Sequence, residues 1–122
     1  MAVTTSTASN PLITTIVTDT DSDITVETAA GAAQYLYFVE ISNPNSSAVY
    51  TKIFNAASSS TTTTQHYLQF YCPASTTCYI YTPTSLNITN GVQVYTSTLP
   101  GNVNSQISPT NDVTVKIGIT AQ

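Results

Sequence analysis

The stretch DVTVKIGIT (residues 112–120) alternates apolar and polar side chains almost without interruption. Its apolar members are Val113, Val115, Ile117 and Ile119, and the polar side chains that alternate with them are Thr114, Lys116 and Thr120. Successive side chains of a β-strand point to opposite faces, so a period of two places all the apolar members on one face. The stretch is therefore predicted to be a strand that buries one face in a core.

Seven other runs are rich in strand-forming residues and are bounded by Pro, Gly, Asn, Asp or Ser, which favour turns. They lie at residues 12–18, 23–29, 34–42, 48–55, 66–72, 78–82 and 92–98. No segment shows convincing helical spacing of its apolar residues. About eight short strands with hairpin-length links predict an all-β protein, an antiparallel two-sheet β-sandwich of the jelly-roll-like or Greek-key type.

The composition agrees with a single β domain. The chain has 122 residues, of which 7% are charged, whereas about a quarter is usual. Polarity comes instead from 24 Thr and 14 Ser, which suit half-buried strands and turns respectively. Residues 1–11 have little apolar content and are predicted to form an extended or flexible N-terminal arm, with residues 12–122 as the domain.

The charge balance argues against two classes of partner. Two lysines, no arginine and a net charge of −4 leave no basic patch, so neither nucleic acid nor an anionic membrane is an expected partner. No stretch reaches the ~18–20 apolar residues of a membrane span. The first residues lack the basic and apolar regions of a signal peptide, and we expect synthesis in the cytoplasm without one.

The strand predicted at residues 34–42 is apolar on both faces. Tyr35, Tyr37, Val39 and Ile41 would form one face, with Leu36 and Phe38 on the other. A sandwich strand normally keeps one polar face. Two interpretations remain open, a covering loop from the same chain or a neighbouring subunit.

Candidate catalytic and metal-binding residues are few. His66 is the single histidine, and with no nucleophile motif beside it we expect an exposed, structurally neutral side chain. Asp19, Asp21 and Asp23 alternate as calcium ligands do, but the Gly and Glu of a calcium loop are missing, so an acidic turn is the better interpretation. We expect no cofactor, no metal and no enzymatic activity.

Cys72 and Cys78 flank the turn of a hairpin predicted from strands 66–72 and 78–82. In that hairpin the two cysteines would be cross-strand neighbours, close enough for a disulfide. Two reduced core thiols are the main alternative, ahead of metal or redox chemistry. The tyrosines would occupy the opposite face of the hairpin, where they would contact a partner: Tyr67, Tyr71, Tyr79 and Tyr81.

Four short motifs, taken in order, carry a resemblance over about residues 30–120. A Tyr-x-Lys-Ile-Phe-Asn strand is followed by a Pro-Ala-Ser-Thr turn, a Gly-led apolar strand and a closing Val-x-Val-x-Ile-Gly strand. The matching residues are Tyr50, Lys52, Ile53, Phe54 and Asn55; Pro73, Ala74, Ser75 and Thr76; Gly91, Val92 and Val94; and Val113, Val115, Ile117 and Gly118. This order resembles a group of small β-sandwich proteins encoded among the virion genes of tailed bacteriophages.

The resemblance implies a non-enzymatic virion component. Within that class we expect a cement, or decoration, protein that binds the major capsid protein on the capsid exterior, as a trimer. A tail or neck component, or a lectin-like receptor-binding module, is the alternative. The expected subunit or capsid interface consists of the doubly apolar strand and the tyrosine face: Tyr35, Leu36, Tyr37, Phe38, Tyr67, Tyr71, Tyr79 and Tyr81. The arm of residues 1–11 would become ordered on the capsid.

Overall fold

The computed structural model describes residues 3–7 and 15–122, and every regular element within these two ranges is a β-strand. The strands are β1 (Val3–Thr7), β2 (Thr15–Ser22), β3 (Glu27–Ala30), β4 (Gln34–Asn43), β5 (Val49–Asn55), β6 (Leu68–Cys72), β7 (Thr76–Ile88), β8 (Val92–Ser97) and β9 (Val113–Ala121). The prediction of an all-β chain is confirmed. A ninth strand is present because residues 3–7 of the predicted arm pair with β2. The rest of that arm, and the start of the strand predicted at 12–18, lie outside the described residues.

The strands form two antiparallel sheets that face each other. Sheet A has the order β1-β2-β9-β4-β7, and sheet B has the order β3-β8-β5-β6. Beyond β1 the pairs are nested, because β2 pairs with β9, β3 with β8, β4 with β7 and β5 with β6. One long hairpin wrapped into two sheets has this nesting, which is the topology of a jelly roll.

The core lies between the inner faces of the two sheets. The four apolar side chains of β9 are at most 2% exposed, whereas the polar ones that alternate with them are half-buried, so the prediction from residues 112–120 is confirmed. Sheet B contributes Val49, Ile53 and Val94 to the same core. Burial stabilises each such side chain by roughly 1.5–3 kcal/mol.

Strands β6 and β7 do not form the predicted hairpin. β6 pairs with β5 in sheet B and β7 pairs with β4 in sheet A, so the chain crosses between the sheets at Pro73–Ser75. Asn43 Nδ2 stabilises the crossing by donating hydrogen bonds to Cys72 O and Pro73 O. Within the crossing, Ser75 has a positive φ of 51°. A loop of this length can span the ~10 Å between packed sheets as readily as it can close a hairpin.

A β-bulge in β4 changes which of its side chains face the core. The register shifts between Leu36 and Phe38 against both neighbouring strands. Tyr37 is the extra residue against β9, whereas residues 82–85 of β7 lie opposite it on the other side. A bulge of one residue reverses the alternation beyond it. Leu36, Val39 and Ile41 are therefore all buried in the core, and the predicted division of this strand into two faces is wrong.

Candidate binding faces

The outer face of sheet B is covered by two loops of the same chain. Residues 56–67 follow β5 and residues 98–112 follow β8. Gly101 N donates to Gln69 Oε1 on β6 (2.7 Å), and Asn102 Nδ2 donates to Thr63 O in the other loop (3.3 Å). Beneath the loops Phe54 and Tyr95 stack with ring centroids 5.7 Å apart and are almost fully buried. Sheet B, rather than strand β4, is thus covered on both faces, by the core on one side and by these two loops on the other.

Lys52 lies under these loops with none of its surface exposed. Its Nζ donates to Leu99 O (2.6 Å) and to Gln106 Oε1 (2.9 Å), and it lies 4.9 Å from the centre of the Tyr95 ring. Both hydrogen-bond acceptors are neutral oxygens, so burial is not offset by a counter-charge, and it lowers the pKa of the amine to about 8. The lysine attaches loop 98–112 to the sheet.

His66 is half-buried at the end of the loop formed by residues 56–67, so the prediction of an exposed histidine is wrong. Its Nδ1 is buried without a hydrogen-bond partner in the described part of the chain. Burial, and then the positive charge of Lys52, lower the pKa of the imidazole. A neutral histidine in this position is a packing element beside Lys52.

A small cavity lies between the turns at one end of the sandwich. Its volume is about 130 Å³, and it is lined by Asn45, Ser46, Ser47, Thr98, Thr110 and Asn111. Asn45 closes it by donating to Asn111 O (3.0 Å) and accepting from Asn111 N (2.7 Å). Small-molecule sites typically have ~300–1,000 Å³, so this cavity is too small for such a ligand.

The first outer surface is apolar and lies on the side of sheet B. Four large hydrophobic side chains there are half or more exposed: Tyr67 (50%), Tyr71 (57%), Val103 (51%) and Ile107 (54%). Tyr71 packs on Tyr50 of β5 with ring centroids 5.5 Å apart. We call these four exposed residues the sheet B patch. Val103 and Ile107 were not predicted, because they belong to a loop whose other residues are mostly polar.

The second outer surface is a group of three aromatic rings on sheet A. Phe38 of β4 and Tyr81 of β7 are cross-strand partners with centroids 6.0 Å apart, and Tyr79 lies 6.3 Å from Tyr81 with the ring planes within 6°. Tyr79 and Tyr81 are 57% and 68% exposed. We call Phe38, Tyr79 and Tyr81 the sheet A platform.

The predicted interface residues are divided by the fold. Tyr67 and Tyr71 belong to the sheet B side and Tyr79 and Tyr81 to sheet A, because the hairpin that was expected to join them does not form. Leu36 is 1% exposed and belongs to the core, so its place in a predicted interface is wrong. The other three predicted interface residues of this strand belong to β4 of sheet A. Tyr35 is 36% exposed, while Tyr37 and Phe38 are half-buried.

The two cysteines face each other across the core. Cys72 comes from the inner face of sheet B and Cys78 from that of sheet A, and both are free thiols. Cys72 Sγ donates to Thr76 O (3.3 Å) and Ile41 O (3.5 Å). Burial, and then the adjacent thiol of Cys78, raise the pKa of Cys72 to about 12. The hairpin that was predicted to join the two cysteines does not form, although the fold still brings the two thiols together.

Alkylation with iodoacetamide at pH 8 should therefore label Cys72 slowly in the folded protein, since a buried thiol of high pKa contributes almost no thiolate. In urea without reductant, both cysteines should be labelled, and peptide mapping by mass spectrometry would count them. A purified chain that takes up no label in urea until a reductant is added would instead contain the disulfide.

Asp19 is a buried carboxyl group that touches the core. It is 2% exposed, its Oδ1 accepts from Asp21 N (3.2 Å), and its Oδ2 has no hydrogen-bond partner in the described residues. The adjacent Ser22 continues a buried chain of hydroxyl groups through Thr96 to Thr51, with oxygens 2.8 and 2.9 Å apart. Burial, as the largest cause, raises the pKa of Asp19 from 3.8 to about 7.

The stability of the protein should accordingly fall as pH rises from about 4 to about 7. In that window the folded protein holds the Asp19 proton more tightly than the unfolded chain does, and above it the charged group is buried at full cost. Asp19→Asn should remove this dependence and raise the free energy of unfolding at pH 8 by about 1–2 kcal/mol. Urea unfolding at pH 5 and pH 8 would test this, with the exposed Asp112→Asn as the control. An equal pH response in both variants would contradict it.

No group of three or more metal-ligating side chains in the described residues is arranged to hold a metal ion. No helix long and apolar enough to cross a membrane occurs among the described residues either. No protein-family model, curated protein or solved structure matches this chain. The sheet B patch and the sheet A platform are thus the candidate binding sites of the protein.

Proposed function

We propose that the protein is a non-enzymatic component of a tailed-phage virion, a cement protein that binds the outer surface of the capsid. The observation that carries the proposal is the sheet B patch, in which four large hydrophobic side chains are at least half exposed on one side of the molecule. Exposed apolar clusters of this kind are typical of protein–protein interfaces. The sequence motifs that resemble phage virion proteins supply the class of partner.

Hydrogen bonds and aromatic packing hold the residues of the sheet B patch in place before any partner binds. Loop 98–112, which carries Val103 and Ile107, is held to sheet B by Lys52 and by the hydrogen bond from Gly101 to Gln69. Tyr71 lies on an edge strand and is backed by Tyr50. A surface fixed in advance loses little conformational entropy on binding, which favours affinity.

The fold and the charge are compatible with this role. Jelly rolls are common among viral capsid proteins and lectins, although a fold alone does not determine function. With 7% charged residues, the chain offers an interface of hydroxyl groups and aromatic area, as Tyr-rich interfaces do. On this proposal a trimer contacts the major capsid protein through three sheet B patches and links neighbouring capsid subunits against the pressure of packaged DNA.

Binding to capsids purified without the protein tests the proposal. Wild-type protein should co-sediment with them, and Tyr71→Ser combined with Ile107→Ser should weaken binding by tenfold or more, since buried aromatic anchors dominate interface energy. Tyr79→Ser combined with Tyr81→Ser is the matched control on the opposite side of the molecule. Melting temperatures would show that both double variants are folded.

Two outcomes would overturn the proposal. If the wild-type protein does not co-sediment with capsids but co-sediments with isolated tails, the tail or neck alternative holds. If it binds capsids and the sheet B double variant binds equally well, the patch is not the interface. Cryo-electron microscopy of the virion would then locate the protein and count its copies in each cluster.

A further inference from the structure

The sheet A platform is a different kind of surface from the sheet B patch. Phe38 and Tyr81 lie opposite each other on neighbouring strands, with ring centroids 6.0 Å apart, and Tyr79 lies 6.3 Å from Tyr81 along β7, with the two tyrosine rings nearly parallel. The bulge at Tyr37 creates this arrangement, because it turns Phe38 outward beside Tyr81 while Leu36 and Val39 both stay in the core. The fold therefore groups three aromatic rings on the outside of sheet A.

The exposed aromatic area of the platform is small compared with a standard protein interface. Two tyrosines that are 57% and 68% exposed present roughly 250 Å² of ring surface, taking about 200 Å² for a whole side chain. A stable protein–protein contact buries about 800 Å² per partner. The area suits a narrow ligand a few rings long.

The charges around the platform indicate an uncharged ligand. Glu40 and Lys116 are cross-strand partners on the same outer face, so their opposite charges cancel locally. The neighbouring outward positions on β4, β7 and β9 carry hydroxyl groups, at Ser42, Thr77 and Thr114. Stacked aromatic rings also bind single-stranded nucleic acid, but that requires a basic groove along the phosphates, and Lys116 stands here beside a carboxylate.

A pyranose chain has the complementary chemistry. The C–H groups on the face of a sugar ring carry partial positive charge and pack against the negative face of an aromatic ring. The hydroxyl groups at the edge of the sugar ring then meet the Tyr, Thr and Ser hydroxyls and the carboxylate of Glu40. Since successive sugar units repeat along a chain, a row of rings binds them better than one ring does.

We propose that Phe38, Tyr79 and Tyr81 form a binding site for a neutral polysaccharide on the outer face of sheet A. This site is separate from the sheet B patch, so it does not depend on the proposed binding to capsids. If both proposals hold, the protein attaches to a virion by one face and presents a carbohydrate-binding face to the outside.

Affinity gel electrophoresis with single neutral polysaccharides in the gel tests this proposal: hydroxyethylcellulose, xyloglucan, galactomannan, dextran and glycogen. Wild-type protein should be retarded by at least one of them. Tyr79→Ser combined with Tyr81→Ser should weaken that binding by tenfold or more. Tyr79→Phe combined with Tyr81→Phe should keep most of it, because the ring faces remain.

The sheet B variant with Tyr71→Ser and Ile107→Ser separates the two proposals. It should lose capsid binding and keep polysaccharide binding, with the reverse pattern for the sheet A serine variant. Retardation by none of the five polysaccharides would overturn the proposal, and so would equal retardation of the folded serine variant. Binding to poly(dT) or to an anionic polysaccharide alone would also overturn it, since the charge argument would then be wrong.

Discussion

Gly91→Ala should destabilise the protein by about 3 kcal/mol or more, the largest effect that we expect from adding one methyl group. Gly91 immediately precedes β8 and has a φ of +151°, a conformation that residues with a Cβ rarely adopt. A Cβ built there would lie 2.8 Å from Ala30 O, from Ala56 O and from Ala57 Cα. All three are backbone atoms, so the clash cannot be relieved by rotating a side chain.

The position matters because three elements meet at Gly91. Ala56 N donates to Gly91 O (3.0 Å), which joins the end of β5 to the start of β8, and Ala30 is the last residue of β3. Moving the Gly91 backbone away from these atoms would shift β8, the second strand of sheet B, whose Val92 and Val94 lie in the core. The cost therefore combines backbone strain with displaced core packing.

Two other glycines provide matched controls. A Cβ at Gly31 or at Gly101 would meet no atom within 4 Å, and of the two only Gly101 has a positive φ, of +71°. Gly31→Ala should change stability by less than about 1 kcal/mol, and Gly101→Ala should cost about 1 kcal/mol. Urea unfolding can be followed by the fluorescence of the eight tyrosines, since the chain has no tryptophan. A Gly91→Ala variant as stable as Gly31→Ala would show that β8 can move freely.

Local patterns predicted the strands of this protein better than their connections. The alternation in residues 112–120 is set by side-chain direction alone, so it identifies β9 and its buried face without knowledge of the neighbours. The sheet that each strand joins depends on pairs distant in sequence, such as β2 with β9. The link between β6 and β7 is compatible with either a hairpin or a crossing, and the hydrogen bonds from Asn43 that favour the crossing come from a strand about thirty residues away.

The candidate surfaces were predicted in part. The exposure of Tyr79 and Tyr81 follows from their alternation with Cys78 and Ile80 along the strand. Both tyrosines are exposed as predicted, although the predicted hairpin does not form. Leu36 was placed in an interface because one bulged residue cannot be seen in a pattern of period two. A single extra residue at Tyr37 was enough to exchange the faces of the strand.

The burial of Lys52 was not predicted from the sequence. Strand 48–55 has Tyr50, Lys52 and Phe54 on one side, and a lysine between two aromatic residues is usually taken as a sign of an outer, solvated face. Loop 98–112 is mostly polar in sequence, and its carbonyl and amide oxygens are the acceptors that allow Lys52 to be buried. The available signal was the loop's length together with its three isolated apolar residues, Leu99, Val103 and Ile107.

Lys52→Met should lower the free energy of unfolding at pH 7 by about 2–3 kcal/mol, although it removes a buried charge. Methionine has a similar length and fills most of the space, so little of the cost comes from a cavity. The loss arises because Leu99 O and Gln106 Oε1 keep no donor under the loop, and each buried unsatisfied group costs about 1–3 kcal/mol. Hydrogen exchange should be faster at Gly101 N and Ile107 N, whose hydrogen bonds hold the loop to β6 and β8.

The pH dependence distinguishes this role from simple packing. Below about pH 8 the amine is charged in the folded and the unfolded chain alike, so its titration leaves stability unchanged. Between about 8 and the ordinary pKa of 10.5 the unfolded chain binds the proton and the folded protein does not, so stability should rise with pH. Lys52→Met should abolish this rise, and Lys116→Met, on the outer face of sheet A, should retain it. If Lys52→Met is as stable as the wild type at pH 7 and its loop amides exchange no faster, then apolar contacts rather than the lysine hold loop 98–112 in place.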